Sequence, residues 1–151
     1  MEKTLKINAP DGYEIDKEKL TFENIVFNKI DDVVIKWNAI TYAVEIAADN
    51  EHFMVDASRP SYCCSWDDAM RFHRNGIWNL PTVEQLRVLV KYIDKVNEVI
   101  RENNGFEITG GWLWSHEEKD DLRAWSVWMD DGGTYGGSKD RLAYVRAVCA
   151  L

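Results

Sequence analysis

Between Val33 and Ile46 apolar side chains recur at every second position: Val33, Ile35 and Trp37, then Ile40, Tyr42, Val44 and Ile46 after Asn38-Ala39. Successive side chains of an extended chain point to opposite faces, so period two marks half-buried strands, and the pair predicts a hairpin. Asp49-Asn50-Glu51 then turns the chain toward a third strand at Phe53-Met54-Val55. Further on the period changes to that of a helix. Leu86, Leu89, Val90, Ile93, Val96 and Ile100 fall on one stripe, the amphipathic pattern of a helix that covers a core. Thr82, with Gln85 three residues on, forms a capping box at its start, and Asn104-Gly105 stops it. A span of about 20 residues gives about 30 Å of helix, long enough to overhang a domain of this size, which allows a bend near Asp94. A shorter helix is predicted from Trp66 to Asn75, capped by Ser65 with Asp68, with Ala69, Met70 and His73 on its inner face and Gly76 at its end.

Three short aromatic strands follow: Trp112-Leu113-Trp114-Ser115, Ala124-Trp125-Ser126-Val127-Trp128 and Tyr144-Val145-Arg146-Ala147-Val148. In the first, Trp112 and Trp114 share a face. In the second, Trp125, Val127 and Met129 oppose Ala124, Ser126 and Trp128, so both faces are apolar, as in a central strand. Asp130-Asp131-Gly132-Gly133 reads as a turn and Gly136-Gly137-Ser138 as a flexible loop. Towards the N-terminus, Leu5 and Ile7 alternate with polar residues and Pro10-Asp11-Gly12 is a turn signal. Ile25-Val26-Phe27 makes another short strand, and Asp16 to Phe22 a turn or single helical turn. The expectation is an N-terminal strand or hairpin appendage over residues 1–30 and one α+β domain over 31–151. Two helices pack there on a small, mostly antiparallel sheet.

Composition narrows the function. At 151 residues, 46% hydrophobic and 29% charged, the chain is an ordinary globular one that needs no covalent staples. A net charge of −8, with basic residues scattered among more numerous acids, opposes binding to nucleic acid or to anionic membrane surfaces. No run of 18 apolar residues exists, and the Met1-to-Lys6 segment lacks the apolar stretch of a secretory signal. Cys63 and Cys64 are adjacent and Cys149 is remote, which is neither a disulfide framework nor metal-ligand spacing. A cytoplasmic location, or assembly into a particle made in the cytoplasm, is expected, with no metal and no cofactor.

Six of the seven tryptophans lie between Trp66 and Trp128, and such density means either an aromatic core or a recognition surface. Trp112, Trp114, Trp128 and Tyr135 are the candidate anchors, with His116, Arg123 and Asp130 supplying polar contacts around them. The competing reading makes the same rings a second hydrophobic layer. Other chemistry is weaker. Ser115, His116 and Asp120 hold the letters of a catalytic triad, yet neighbours on a strand diverge. The Asp120-Asp121 and Asp130-Asp131 pairs lack the register of a calcium loop. Cys63-Cys64, adjacent thiols in a loop before a helix, has no base near in sequence, and His73 reads as a satisfied core imidazole.

The run Trp78-Asn79-Leu80-Pro81-Thr82-Val83-Glu84-Gln85-Leu86 resembles the W-R-L-P-T-x-x-E-L segment of a known family. That family continues with a helix, then Y-W-S-S, A-W-x-V, a loop containing Gly and Lys, and V-R-C-V. The counterparts here are Trp114-Ser115, Ala124-Trp125-Ser126-Val127, Gly132 to Lys139 and Val145-Arg146-Ala147-Val148. Val96-Asn97-Glu98 and Asn104-Gly105 resemble the end of its long helix. The family is the C-terminal domain of bacterial collagen-like adhesins, and the resemblance covers residues 66–148 closely and 33–65 loosely. It implies a C-type-lectin-like fold and an extracellular or phage-encoded binding module without catalytic residues. Ala9 to Asp16 is also similar to the opening of small proteins from gut anaerobes and their phages. Departures limit the carry-over. The family's V-R-C-V cysteine is Ala147 here, with Cys149 two positions later, so its disulfide is not carried over. Neither is calcium-mediated sugar binding, because the E-P-N or Q-P-D tripeptide is absent.

The expected function is thus a non-enzymatic binding or display module that meets a protein or glycan through loops 110–140. A structural or assembly subunit of a phage or mobile element, forming a homo-oligomer through a Trp-rich face, is the first alternative. An enzyme on the same superfold is the second.

Overall fold

The computed structural model describes residues 8–9, 13–16, 18–21, 23–29, 33–72 and 77–151. The chain divides into two compact units, Met1–Asp32 and Val33–Leu151.

In the first unit, β1 (Tyr13–Ile15) pairs antiparallel with β2 (Phe27–Lys29), setting Tyr13 against Lys29. The Asp16 carboxylate accepts the backbone N–H groups of Glu18 and Lys19 at 3.1 and 3.2 Å, a local turn that starts the chain's reversal. The predicted strand at Leu5 and Ile7 and the Pro10-Asp11-Gly12 turn lie outside the described residues. The strand predicted at Ile25 begins instead at Phe27.

The second unit is mixed α+β. β3 (Val34–Asn38), β4 (Ala43–Ala48) and β5 (Glu51–Asp56) form an antiparallel meander, and β11 (Val148–Ala150) adds to β5. Asp49 and Asn50 take positive φ of 52° and 67° between β4 and β5, as a tight hairpin turn with matching twist requires. The strand expected from Ile40 starts three residues later. Asn38 Oδ1 accepts the N–H groups of Ile40 and Thr41, and Tyr42 sits at φ 54°, so Ile40 is exposed at a turn tip.

The second sheet has the order β6 (Tyr62–Cys64), β10 (Ala143–Val145), β7 (Trp112–Glu118), β8 (Arg123–Trp128), β9 (Thr134–Ser138). β8 is internal, as its doubly apolar pattern predicted. All its pairings are antiparallel except β10 with β7. Three expectations are corrected here. Cys63-Cys64, read as loop, belongs to strand β6. Gly136-Gly137-Ser138, read as a flexible loop, is most of β9. The single terminal strand is two, β10 in one sheet and β11 in the other, parted at Arg146-Ala147.

Among the described residues, three helices replace the predicted two: α1 (Trp66–Phe72), α2 (Val83–Lys91) and α3 (Ile93–Glu102). His73 and Gly76, expected on and after α1, lie outside the described residues. The long stripe is real, but Tyr92 breaks it at φ −113°, ψ 19°. Its hydroxyl donates to Asp49 while Lys91 pairs with the same carboxylate, which pins the junction beside the β4–β5 turn. Thr82 and Gln85 complete the reciprocal capping box of α2. The main core joins Val44, Ile46, Phe53 and Val55 of the meander to Leu86, Leu89, Val96 and Ile100 of α2 and α3 and to Leu113 and Val127 of the second sheet. The other face of that sheet carries a second cluster, with Trp66 and Ala69 of α1 on Trp114, Ala124, Ala143 and Val145. Trp78 and Leu80 flank the entry to α2 but diverge: Leu80 joins that second cluster, while Trp78 packs on Ala43, Met54 and Cys149. One small, mostly antiparallel sheet is therefore corrected to two sheets, with α2 and α3 in the core they share and α1 on the other face of the second.

Candidate recognition site

Strand alternation places the candidate aromatics. Trp112 faces Trp128 across β7–β8, and Ser126 faces both Trp114 on β7 and Tyr135 on β9. Paired residues project to the same side, so Trp112, Trp114, Ser126, Trp128 and Tyr135 share the face away from α2. α1 covers one end of it through Trp66, whose indole N–H donates to Ser115 O at 2.8 Å. At the other end the Trp112 and Trp128 rings lie 5.1 Å apart and Trp112 and Tyr135 5.7 Å apart, mutually inclined at about 50°, within the range of favourable aromatic pairs. Trp112 and Trp128 are half-buried, and Tyr135 is 49% exposed.

Trp114 is corrected. It is fully buried and its N–H donates to Cys64 O at 2.9 Å, so it is the floor of the platform and touches no ligand. Sequence alternation put it on the right face but could not see that α1 and β6 cover it.

The polar candidates separate. His116 is exposed and lines a different cavity with Met70, Thr82 and Gln85. Arg123 sits on the face shared with Trp125 and Val127, opposite the platform, and its guanidinium is held by Asp120 at 2.6 Å. Hydrogen bonds from Arg123 and the Leu122 amide hold the Asp120 carboxyl below its ordinary range. Asp130 is exposed at the β8–β9 turn, where a Cβ at Gly110 would come within 3.2 Å of its Oδ1. Ser115 Oγ is buried and donates to Trp125 O at 2.8 Å, a structural bond rather than an activated hydroxyl.

Arg141, which sequence reasoning missed, supplies the polar group of the platform. Its guanidinium carbon lies 4.8 Å from the Tyr135 ring, 5.2 Å from Trp114 and 5.4 Å from Trp112, and its Nη2 donates to Ser126 Oγ. Its Nε is buried without a partner, and no carboxylate pairs with it among the described residues. Burial pushes this guanidinium below its usual value, opposed in part by Tyr135. Three aromatic faces offset the lost hydration, each contact worth about 0.5–2 kcal/mol. The signal in the sequence was Gly137: a glycine within a strand often marks a close approach, and a Cβ there would lie 3.0 Å from Arg141 Nε.

On the opposite face of the same hairpin, Lys119 Nζ lies 5.0 Å from the Trp125 ring. It flanks a groove lined by Asp121, Arg123, Trp125, Thr134 and Gly136. Among the described residues, no group of three or more His, Cys, Asp or Glu is placed to hold a metal ion, and no helix is long and apolar enough to cross a membrane. The chain matches no protein-family model, and no curated protein matches it significantly.

Proposed function

We propose that this chain is a non-enzymatic recognition module on a C-type-lectin-like scaffold, binding a protein or glycan through the aromatic platform of its second sheet. The observation that carries the reading is the trio Trp112, Trp128 and Tyr135, half-open to solvent around a guanidinium that has no carboxylate partner among the described residues. Rigid amphipathic rings around one polar group are the make-up of binding hot spots, which bury much area at little cost in side-chain entropy. The motif order from Trp78 to Val148 supports the scaffold assignment. The unpaired thiols of Cys63, Cys64 and Cys149 suit a reducing compartment.

The test is tryptophan fluorescence against glycan and protein panels, with Trp128→Ala and Tyr135→Ala as variants. A ligand is expected to shift the emission, and each truncation to weaken binding at least tenfold, about 1.4 kcal/mol. Full affinity in both variants, or an unchanged emission across both panels, would remove the platform from any role in recognition.

A further inference from the structure

β9 is the outer strand of the five-stranded sheet. Two hydrogen bonds bracket it and set its parity: Trp128 N–H donates to Gly133 O at 2.8 Å, and Lys139 N–H to Leu122 O at 2.9 Å. Bonded residues alternate along an antiparallel ladder. Tyr135 and Gly137 therefore turn their backbone groups toward β8, while Thr134, Gly136 and Ser138 turn theirs outward. The outward Ser138 carbonyl takes the Arg141 N–H at 3.0 Å; Thr134 and Gly136 keep a free donor and acceptor each. Natural edge strands are usually guarded by proline, a bulge, or charge within the strand. Thr134-Tyr135-Gly136-Gly137-Ser138 carries none of these in its own sequence.

Two cations lie over this edge instead, one on each face. Lys119 Nζ is 3.2 Å from where a Cβ of Gly136 would stand, and Arg141 Nε is 3.0 Å from the same point at Gly137. Between Val33 and Leu151, every other described Lys or Arg is paired with a carboxylate, apart from Arg146. The two Nη atoms of Arg146 make five bonds to carbonyl and hydroxyl oxygens, while its buried Nε, like that of Arg141, has no partner among the described residues. In a chain with 26 acids against 18 basic residues, the two described cations of this unit left with neither a carboxylate nor a carbonyl cage thus lie on opposite faces of one edge strand, Lys119 against Gly136 and Arg141 across Gly137 toward Ser126.

We propose that β9 accepts an extended peptide as a sixth strand, and that this peptide carries two consecutive acidic residues. Neighbouring side chains of a strand point to opposite faces. One carboxylate of such a pair meets Lys119 beside Gly136, and the next meets Arg141 beside Gly137. The glycines let each cation lie directly against the strand, because a Cβ at either would collide with Lys119 at Gly136 and with Tyr135 and Arg141 at Gly137. Strand addition supplies affinity through the outward backbone groups, and the cations supply the choice of sequence. A second copy of this chain fits less well: pairing two β9 strands would bring Lys119 and Arg141 toward like charges. The proposal rests on the recognition-module reading and names its partner.

The experiment is fluorescence anisotropy on the full chain with labelled ten-residue peptides of β-branched residues around a central Glu-Glu. The controls are the Gln-Gln peptide, a Glu-Glu peptide N-methylated on the amides that face β9, and an oligosaccharide of uronic acids. The Glu-Glu peptide is expected to bind, with at least tenfold weaker binding for the Gln-Gln and N-methylated forms. Lys119→Gln and Arg141→Gln should each weaken it severalfold, with Arg141→Lys intermediate. Lys119 is exposed, so its variant keeps the fold intact and isolates the charge. Equal binding of the Gln-Gln or N-methylated peptide, preference for the oligosaccharide, or no binding by any peptide overturns the proposal. In those outcomes a panel ligand that still depends on Trp128 leaves the recognition module standing. Loss of both removes the two together.

Discussion

Two arginines five residues apart show how far identical chemistry is decided by surroundings. Arg146 is buried, and its Nη1 donates to the carbonyls of Asp56, Arg59 and Phe106 while Nη2 donates to Ser61 Oγ and the Glu107 carbonyl, all at 2.8–3.0 Å. Burial lowers this guanidinium to about 10, opposed in part by Asp56, so it remains charged at neutral pH. Arg141 has one such bond and three rings. The first arginine is consumed by the fold and the second is available to a partner. Replacing Arg146 by Met leaves carbonyls of two separate loops without their donor, each costing about 1–3 kcal/mol when buried. A loss of about 3–5 kcal/mol is expected, as for other breaks in buried charged networks, read from the denaturant midpoint. A loss under about 1 kcal/mol would mean that water replaces the guanidinium and that the clamp is dispensable. The V-R-x-V motif was read as one strand, but Arg146 and Ala147 form the break between β10 and β11, and the role of the arginine was not legible. Four of its five acceptors are backbone carbonyls, 39 to 90 residues away in sequence, and no side-chain pattern records where a carbonyl points.

At the scale of elements, β4 depends on a carboxylate that bridges its two neighbours. Glu45 takes His52 of β5 at 2.8 Å and Lys36 of β3 at 3.3 Å. These partners, the His52 bond foremost, hold its carboxyl below the ordinary value of 4.5. A carboxylate with a depressed pKa in the fold adds stability above its unfolded value and loses it as pH falls through the folded one. Glu45→Gln should therefore melt below the parent at pH 7, with the gap closing as pH falls below 4.5. A gap that stays constant down to pH 3 would show that the pair contributes packing and no charge. Legibility followed the same division between local and distant causes. The α2 capping box and the stripe from Leu86 to Ile100 were readable, because both arise within a few turns of one helix. A bend was expected near Asp94 from the length of the helix, but its position at Tyr92 was not readable, since it is fixed by Asp49 on a different element. β9 was misread for a related reason. Gly-Gly normally signals a mobile loop, and here it is held extended by β8 pairing and by the basic side chains that need its missing Cβ atoms.

For the whole molecule, the question is which part of the chain carries the fold and therefore the site. Among the described residues, every member of the three hydrophobic clusters lies between Ile35 and Cys149, and all seven tryptophans lie between Trp37 and Trp128. The unit Val33–Leu151 is well above the size, about 40 residues, below which a core needs disulfides or metals to fold alone. It also contains both larger sheets, all three helices and the Arg146 clamp. A chain restricted to residues 33–151 is thus expected to unfold cooperatively. Its near-ultraviolet circular dichroism, which reports tryptophan packing, should match that of the full chain, and so should its affinity for any ligand of the Trp112–Trp128–Tyr135 platform. Loss of the aromatic signal would assign residues 1–32 a part in holding the core. If the signal persists while binding is lost, the platform of residues 33–151 does not suffice for recognition.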